Sequence, residues 1–442
     1  MKRSLCGPQT DLWSVGILAL VATLASPARA DDVTLAAPPS PANAVLGAPT
    51  GPNPDTGVPI AGYIVSPSVF LGVIYNDDIY PTANDRQAAL GVVFAPNITA
   101  VDDQGLHKTT ITLNADAELY PNYTGPSSSA PSPSNVSAVV SIDHVWKPTE
   151  DLTVEAVAGF TRQYGLFGSL LAAGQNFVSS PTLGAVSGYQ QFSNQYSGSV
   201  TIEKKFNDQW FVRGGFGAGD TEYDAAPVGV AGALGGADYN AFLRTGFNVT
   251  PQVAAFVETG ADLHRYGDSW YDSNAYRLIG GLSSDQIGLF KGELYAGYQK
   301  EFSAEGTFGA VAAPTYGAKV YYYPTRYLTL AASLDQSFGS AAVQTPTPTG
   351  APSGDTVQGR FQADYSLAEY WSASFRTGYA RTTYSENPLI QSEWTIGGGV
   401  NYYFWRNIAL TLNYQYTTTA ANLATTPGYR QNLVSAGMTY RY

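Results

Sequence analysis

Apolar side chains recur every second residue along most of this chain. In ITLNADAELY (111–120), Ile111, Leu113, Ala115, Ala117 and Leu119 alternate with Thr112, Asn114, Asp116 and Glu118. LTVEAVAGF (152–160) and IALTLNYQY (408–416) repeat the pattern with Leu152, Val154, Ala156, Ala158 and Phe160, and with Ile408, Leu410, Leu412, Tyr414 and Tyr416. A helix would need apolar residues three and four apart; a period of two is that of a strand with one apolar face. Eighteen such segments follow one another, centred near residues 70, 92, 114, 140, 157, 200, 214, 243, 258, 279, 295, 319, 332, 362, 376, 399, 412 and 436.

The connections alternate in length. WKPTED (146–151), FNDQW (206–210), NVTPQ (248–252), SSDQIG (283–288), YPTRY (323–327), SLAEYW (366–371) and FWRN (404–407) are short. PNYTGPSSSAPSPSN (121–135), the stretch 165–190, the stretch 220–238, GSAAVQTPTPTGAPSGDT (339–356) and TTTAANLATTPGYR (417–430) are long. NITAVDDQGLH (97–107) is the one turn too long for the short class. Strands with one apolar face, short turns at one end and long loops at the other define an all-β transmembrane antiparallel barrel of about eighteen strands, with the short turns periplasmic and the long loops extracellular. Only a closed sheet leaves no unpaired backbone groups in hydrocarbon.

The final segment, NLVSAGMTYRY (432–442), keeps the stripe to its last residue through Val434, Ala436, Met438, Tyr440 and Tyr442. It resembles the C-terminal signal of bacterial outer-membrane barrels, although family members usually end in Phe where this chain has Tyr442. That resemblance implies delivery to the barrel-assembly machinery through Met438, Tyr440 and Tyr442, with the general secretion machinery as an earlier partner and outer-membrane lipid and lipopolysaccharide as surroundings. A narrower likeness lies at 71–120. LGVIYNDDIYPTANDRQAALGVVFAPNITAV is similar to β-barrel porins whose first hairpin carries a Y-D-D-N-[IV]-[YF] motif. Here it reads Tyr75-Asn76-Asp77-Asp78-Ile79-Tyr80, an imperfect match. Some members of that family sit beside exopolysaccharide genes, which implies an export role as the alternative to a passive pore.

The N-terminus reads as a signal peptide, residues 1–30. Lys2 and Arg3 precede WSVGILALVATLA (13–25), and Ala28-Arg29-Ala30 is a small-x-small cleavage site. Residues 31–60 hold seven prolines and no aromatic, the composition of a periplasmic linker. The barrel is assigned to 61–442. Cleavage after Ala30 removes Cys6, the chain's one cysteine, and with it any disulfide or thiolate site. It also removes Lys2, Arg3, Arg29 and Asp11. The 23 basic and 35 acidic residues become 20 and 34, a net charge of −14. Such a chain lacks the basic footprint that nucleic-acid binding requires. Charged residues are 13% of the whole, against about 25% for ordinary soluble proteins.

Aromatic residues gather at the short turns: Trp146, Phe206, Trp210, Tyr323, Tyr327, Tyr370, Trp371, Phe404 and Trp405. This is the expected girdle at the inner interface, where amphipathic rings sit at headgroup level. With the apolar set facing lipid, the other set faces the lumen. Its acids fall early, at Asp116, Glu118, Asp143, Glu155 and Glu203, then Glu258, Asp262 and Glu293. Its bases fall later, at Arg213, Arg244, Arg277, Lys319, Arg360, Arg376 and Arg441. The expectation is an acidic wall opposed to a largely basic one, the alternative being charges paired with neighbours on adjacent strands. The third outer loop, with LFGSLLAAGQNF (166–177), is placed to form a short helix folded into the channel, or to pack on the surface.

Catalytic motifs are sparse. His107 lies in a turn, His144 near the inner rim, and His264 near the outer rim on the same face as Asp262, with no nucleophile marked. No metal-ligand spacing or phosphate-binding glycine motif is present, and no cofactor is expected. The chain reads as a porin-like channel for small hydrophilic solutes rather than an enzyme. An exporter or a non-conducting surface barrel is the alternative, and the oligomeric state, monomer or trimer, stays open.

Overall fold

The structure, a computed structural model, describes residues 57–442 apart from 80–85, 122–133, 167–189, 225–234, 268, 307–308, 341–352, 369, 385–389, 406 and 422–427. The expected signal peptide, most of the expected linker, Tyr80 and nearly all of the third outer loop therefore lie outside the described residues.

A short strand, β1 (Val58–Ile60), precedes eighteen long ones: β2 (Tyr63–Asn76), β3 (Ala89–Asp103), β4 (His107–Leu119), β5 (Asn135–Thr149), β6 (Leu152–Leu166), β7 (Gln190–Lys205), β8 (Trp210–Tyr223), β9 (Gly236–Thr250), β10 (Val253–Tyr266), β11 (Ser273–Ile287), β12 (Phe290–Ser303), β13 (Val311–Thr325), β14 (Leu328–Ser340), β15 (Ser353–Ala368), β16 (Trp371–Tyr384), β17 (Ile390–Trp405), β18 (Ile408–Ala421) and β19 (Arg430–Arg441). Each pairs antiparallel with the next, and β19 pairs with β2, so the sheet closes into an eighteen-stranded barrel. The long strands run from 12 to 16 residues, whereas about 9–11 tilted residues cross a bilayer. The surplus carries the ladders past the membrane interfaces.

Alternation decides which face is which. On β2, Leu71, Val73 and Tyr75 are 58%, 50% and 44% exposed, while Phe70, Ile74 and Asn76 between them are 3%, 0% and 6% exposed. The same parity carries from strand to strand through the register: Gly72 lies opposite Gly437 on one side and Val93 on the other. The outward face is a continuous apolar belt. At its inner rim, aromatic rings pair across strands rather than only flanking turns. Phe290 stacks on Tyr322 at 4.4 Å, Trp371 meets Tyr402 at 4.6 Å, and Trp210 meets Phe247 at 4.9 Å. Tyr323 departs from the expected girdle. It packs, partly buried, against the buried Tyr321 and Ala331 on the inward face, because it shares the parity of Lys319 and Tyr321 on β13.

The turn expected to be too long is short. β3 runs on to Asp103, and only Gln104–Leu106 separates it from β4. Gly105 takes φ +77°, its N–H donating to the Asp103 carboxylate at 3.1 Å. The polar residues of VDDQG masked a strand end that projects beyond the apolar belt. At the other end of the chain, β1 occupies the edge of β2 below the last strand. Val58 pairs with Val65, while the Tyr442 N–H donates to the Pro67 carbonyl at 3.1 Å. Strand pairing thus begins inside the stretch read as linker.

Candidate functional site: the wall of the lumen

The inward face mixes charge, amides and, in one sector, apolar side chains. Register puts Asp116 and Glu118 on this face of β4, opposite Ser137 and Asn135 of β5. Asp143 follows on β5 and Glu155 on β6, opposite Val145. The bases continue the same face: Arg213 lies opposite Glu203 on one side and Arg244 on the other. Arg277 lies opposite Gly260 and Gln299, Lys319 opposite Glu293, Arg360 opposite Ser333, and Arg376 opposite Gln362.

The acids are not confined to one wall. The strands expected to form a basic wall also carry Glu258, Asp262, Glu293, Glu301, Asp335, Asp364 and Glu393 on the inward parity. The central group is an ion network across four strands. Arg244 donates Nε to Glu258 Oε2 at 2.8 Å, and Nη1 and Nη2 to Glu293 at 2.8 and 3.1 Å. Arg277 reaches the other oxygen of Glu258 at 3.2 Å. The Arg244 guanidinium also lies 3.9 Å from the Phe256 ring centre. Arginine suits this position because its planar fork bonds two carboxylates at once and still offers a face to a ring. Arg360 has Asp335 and Glu393 as charged neighbours, and Arg376 has Asp364. The result is interleaved charge, because twist and side-chain reach bring bases to acids on flanking strands and, for Arg244 and Glu293, on strands further round the barrel.

Asp116 and Glu118 stand apart from this network. They are 1% and 7% exposed. Glu118 accepts from the Tyr120 hydroxyl at 3.0 Å and from Asn135 at 3.4 Å, while neither Asp116 oxygen has a hydrogen-bond partner. Beside them lies a buried apolar group, Phe70, Ile74, Ile79, Ala89, Val93, Ala95, Tyr120 and Leu433. Sequence reasoning missed it. VFLGVIY (69–75) and ALGVVFA (89–95) are apolar on both faces, so alternation there cannot say which side is in.

The histidines separate widely. His144 sits on the outward face, its Nδ1 2.8 Å from the Thr109 hydroxyl, and His107 pairs in register with Trp146. His264 contacts Asp238 on the neighbouring strand rather than Asp262. Ser273 lies opposite His264 in register. Its hydroxyl is fully buried and makes no hydrogen bond, so serine, histidine and aspartate share a row without the contacts of a nucleophile and its base. Among the described residues no cluster of three or more His, Cys, Asp or Glu could hold a metal ion.

A closed antiparallel barrel with an apolar outer belt and a charged, amide-rich interior defines a bacterial outer-membrane β-barrel protein. The family model described as "Putative beta-barrel porin 2" matches residues 52–442, and the chain belongs to that family. No curated protein matches the sequence. Among solved structures, the chain is similar to OccAB4 of Acinetobacter baumannii (10% identity, covering 88% of this chain and 100% of that one, TM-score 0.43). It is also similar to the siderophore receptor PirA of Pseudomonas aeruginosa (10% identity, covering 86% and 80%, TM-score 0.40).

Proposed function

We propose that this protein is a porin-like channel that lets small hydrophilic solutes diffuse passively across the outer membrane. The observation that carries the reading is the inward face of an eighteen-stranded closed sheet, lined by half-buried charged and amide side chains. Barrels of 16–18 strands enclose an aqueous passage. Glu155, Arg213, Arg244, Arg277, Arg360 and Arg376 are the side chains we assign to the solute path, with Asp143 toward its inner end. Asp116 and Glu118, being buried, are assigned to the wall itself. Because the bases stand among acids, the path has little net field and selects weakly among small ions. Maturation at Ala30 by signal cleavage, a linker ahead of the barrel, lipopolysaccharide around the outer rim, and assembly through Met438, Tyr440 and Tyr442 belong to the same reading.

Planar-bilayer recording of refolded protein tests it. Stepwise conductance in potassium chloride, with swelling of liposomes in small polyols, is the expected result. A folded barrel that inserts and never conducts would overturn the channel reading and leave a non-conducting surface barrel. Conductance without small-solute permeation, together with a capsule defect on deletion, would favour export of exopolysaccharide.

A further inference from the structure

The described part of the motif, Tyr75–Ile79, has no part in the solute path described above, and its position suggests another role. Every pair of neighbouring strands in the barrel is consecutive in the chain except β2 and β19. These two meet as distant segments, held by a ladder from Ser68–Arg441 to Asn76–Leu433. Elsewhere a turn or loop fixes register; here something else has to.

Just past the last ladder pair, the chain continues the pairing with side chains. The Asp77 N–H donates to the Asn432 carbonyl at 3.1 Å. The Asn432 N–H and its side-chain amide return bonds to the two Asp77 carboxylate oxygens, both at 2.6 Å. Arg86, from the far side of the first outer loop, forms an ion pair with Asp77 and stands 4.0 Å from Asp78. One residue along, the Gln431 amide donates to the Asn76 side-chain oxygen at 3.2 Å and to the Asp78 carbonyl at 2.9 Å. That same Asn76 oxygen accepts from the Asp78 N–H at 3.0 Å, which bends the chain inward. Ile79 then enters the buried apolar group with Ile74 and Leu433. The inward-facing groups are buried, Asn76 being 6% exposed, Asp78 0% and Gln431 7%, while the outward-facing Asp77 and Asn432 are half-buried.

We propose that Asn76, Asp77 and Asp78 form a closing clasp, a site that binds the outer end of the chain's own last strand and sets the register in which the barrel shuts. Its ligand is the Gln431–Asn432 segment, recognised through one backbone exchange and two side-chain amides. Asp77 is the central group because only an acceptor with two oxygens meets both donors of Asn432 while facing Arg86. The first loop is thereby tied to the seam, so the motif's acids act in closure rather than on a passing solute.

The test uses full-length protein refolded into lipid vesicles. Asp77→Ala and Asn432→Ala should each speed urea-induced unfolding about tenfold, the loss expected for charge-assisted hydrogen bonds. The double variant should be no faster than the worse single one. Conductance of the folded fraction should stay unchanged. A second variant, Asp77→Cys with Asn432→Cys, is made with Cys6, the chain's one cysteine, replaced by serine, so that the two introduced thiols are the only ones in the chain. Oxidation should form a disulfide across the seam and restore the slow unfolding. Additive effects of the two alanines, a disulfide that fails to form or fails to restore resistance, or altered conductance with unchanged unfolding would each overturn the clasp.

Discussion

Replacing Arg244 with Met probes the interleaved charge of the lumen at its centre. Methionine keeps an unbranched side chain over Phe256 and removes the fork that joins Glu258 to Glu293. The Glu258 side chain is 6% exposed and keeps only Arg277 at 3.2 Å; that of Glu293 is 30% exposed and turns toward water. Breaking a fully buried ion pair costs about 3–5 kcal/mol. With one carboxylate solvated and the other still partnered, the expected loss falls below that range, about 2–3 kcal/mol. Urea unfolding in vesicles, followed by tryptophan fluorescence and by gel mobility, measures it. Adding Glu293→Gln should recover part of the loss, the non-additivity that marks coupled residues. Selectivity supplies an independent readout. Arg244 and Arg277 balance Glu258 and Glu293; the variant leaves one negative charge in excess, so the reversal potential under a salt gradient should move toward cations. Screening acts over about 8 Å at physiological ionic strength, so the shift should grow in dilute salt. An Arg244→Met channel with unchanged stability would refute the network, and one with unchanged reversal potential as well would remove Arg244 from the solute path, because a cation that is both paired and on the path cannot be lost without changing both.

Neutralising the buried acids with Asp116→Asn and Glu118→Gln should leave reversal potential and conductance unchanged, as their carboxyls lie out of water; a shift toward anions in bilayer recordings would place them on the path. Gly437→Val should impair closure. A Cβ there would stand 2.3 Å from the Leu71 carbonyl and 2.5 Å from the Gly72 Cα, so the seam has to open, at a cost of about 1–3 kcal/mol. The heat-modifiable fraction should fall, whereas Gly280→Ala, whose Cβ would meet nothing nearer than 3.6 Å, should not change it. At Asp77 burial pushes the carboxyl up, but Asn432 and Arg86 outweigh it and hold it below the ordinary value of 3.8. The clasp's contribution is then fully present above that value and lost as pH falls through the lowered one. Acid unfolding of wild type should therefore steepen below pH 3.8 and flatten in Asp77→Asn, as circular dichroism across an acid titration would record.

Strand count, order, direction and the outward face of most strands were legible in the chain because each rests on a local rule. A two-residue period needs no knowledge of a partner, and short connections force antiparallel neighbours. Segments such as 111–120 and 408–416 announce their faces this way, and the inward parity of Arg213, Arg244, Arg277, Arg360 and Arg376 follows from it. Where a strand is apolar on both sides the rule is silent, so Phe70, Ile74 and Val93 gave no sign that they turn inward. Where a polar run ends a long strand, as at Val101–Asp103, it mimics a turn. Parity also says nothing about reach. Arg244 on β9 holds Glu293 on β12 because a long guanidinium side chain spans strands brought together by the twist of the closed sheet. Farther apart in sequence than Arg244 and Glu293 are Asp77 and Asn432, separated by 355 residues. Each of these residues reads alone as a polar group at a strand end. Only closure brings them within 2.6 Å, since the geometry that joins the first strand to the last belongs to the whole ring of strands and to no stretch of sequence within it.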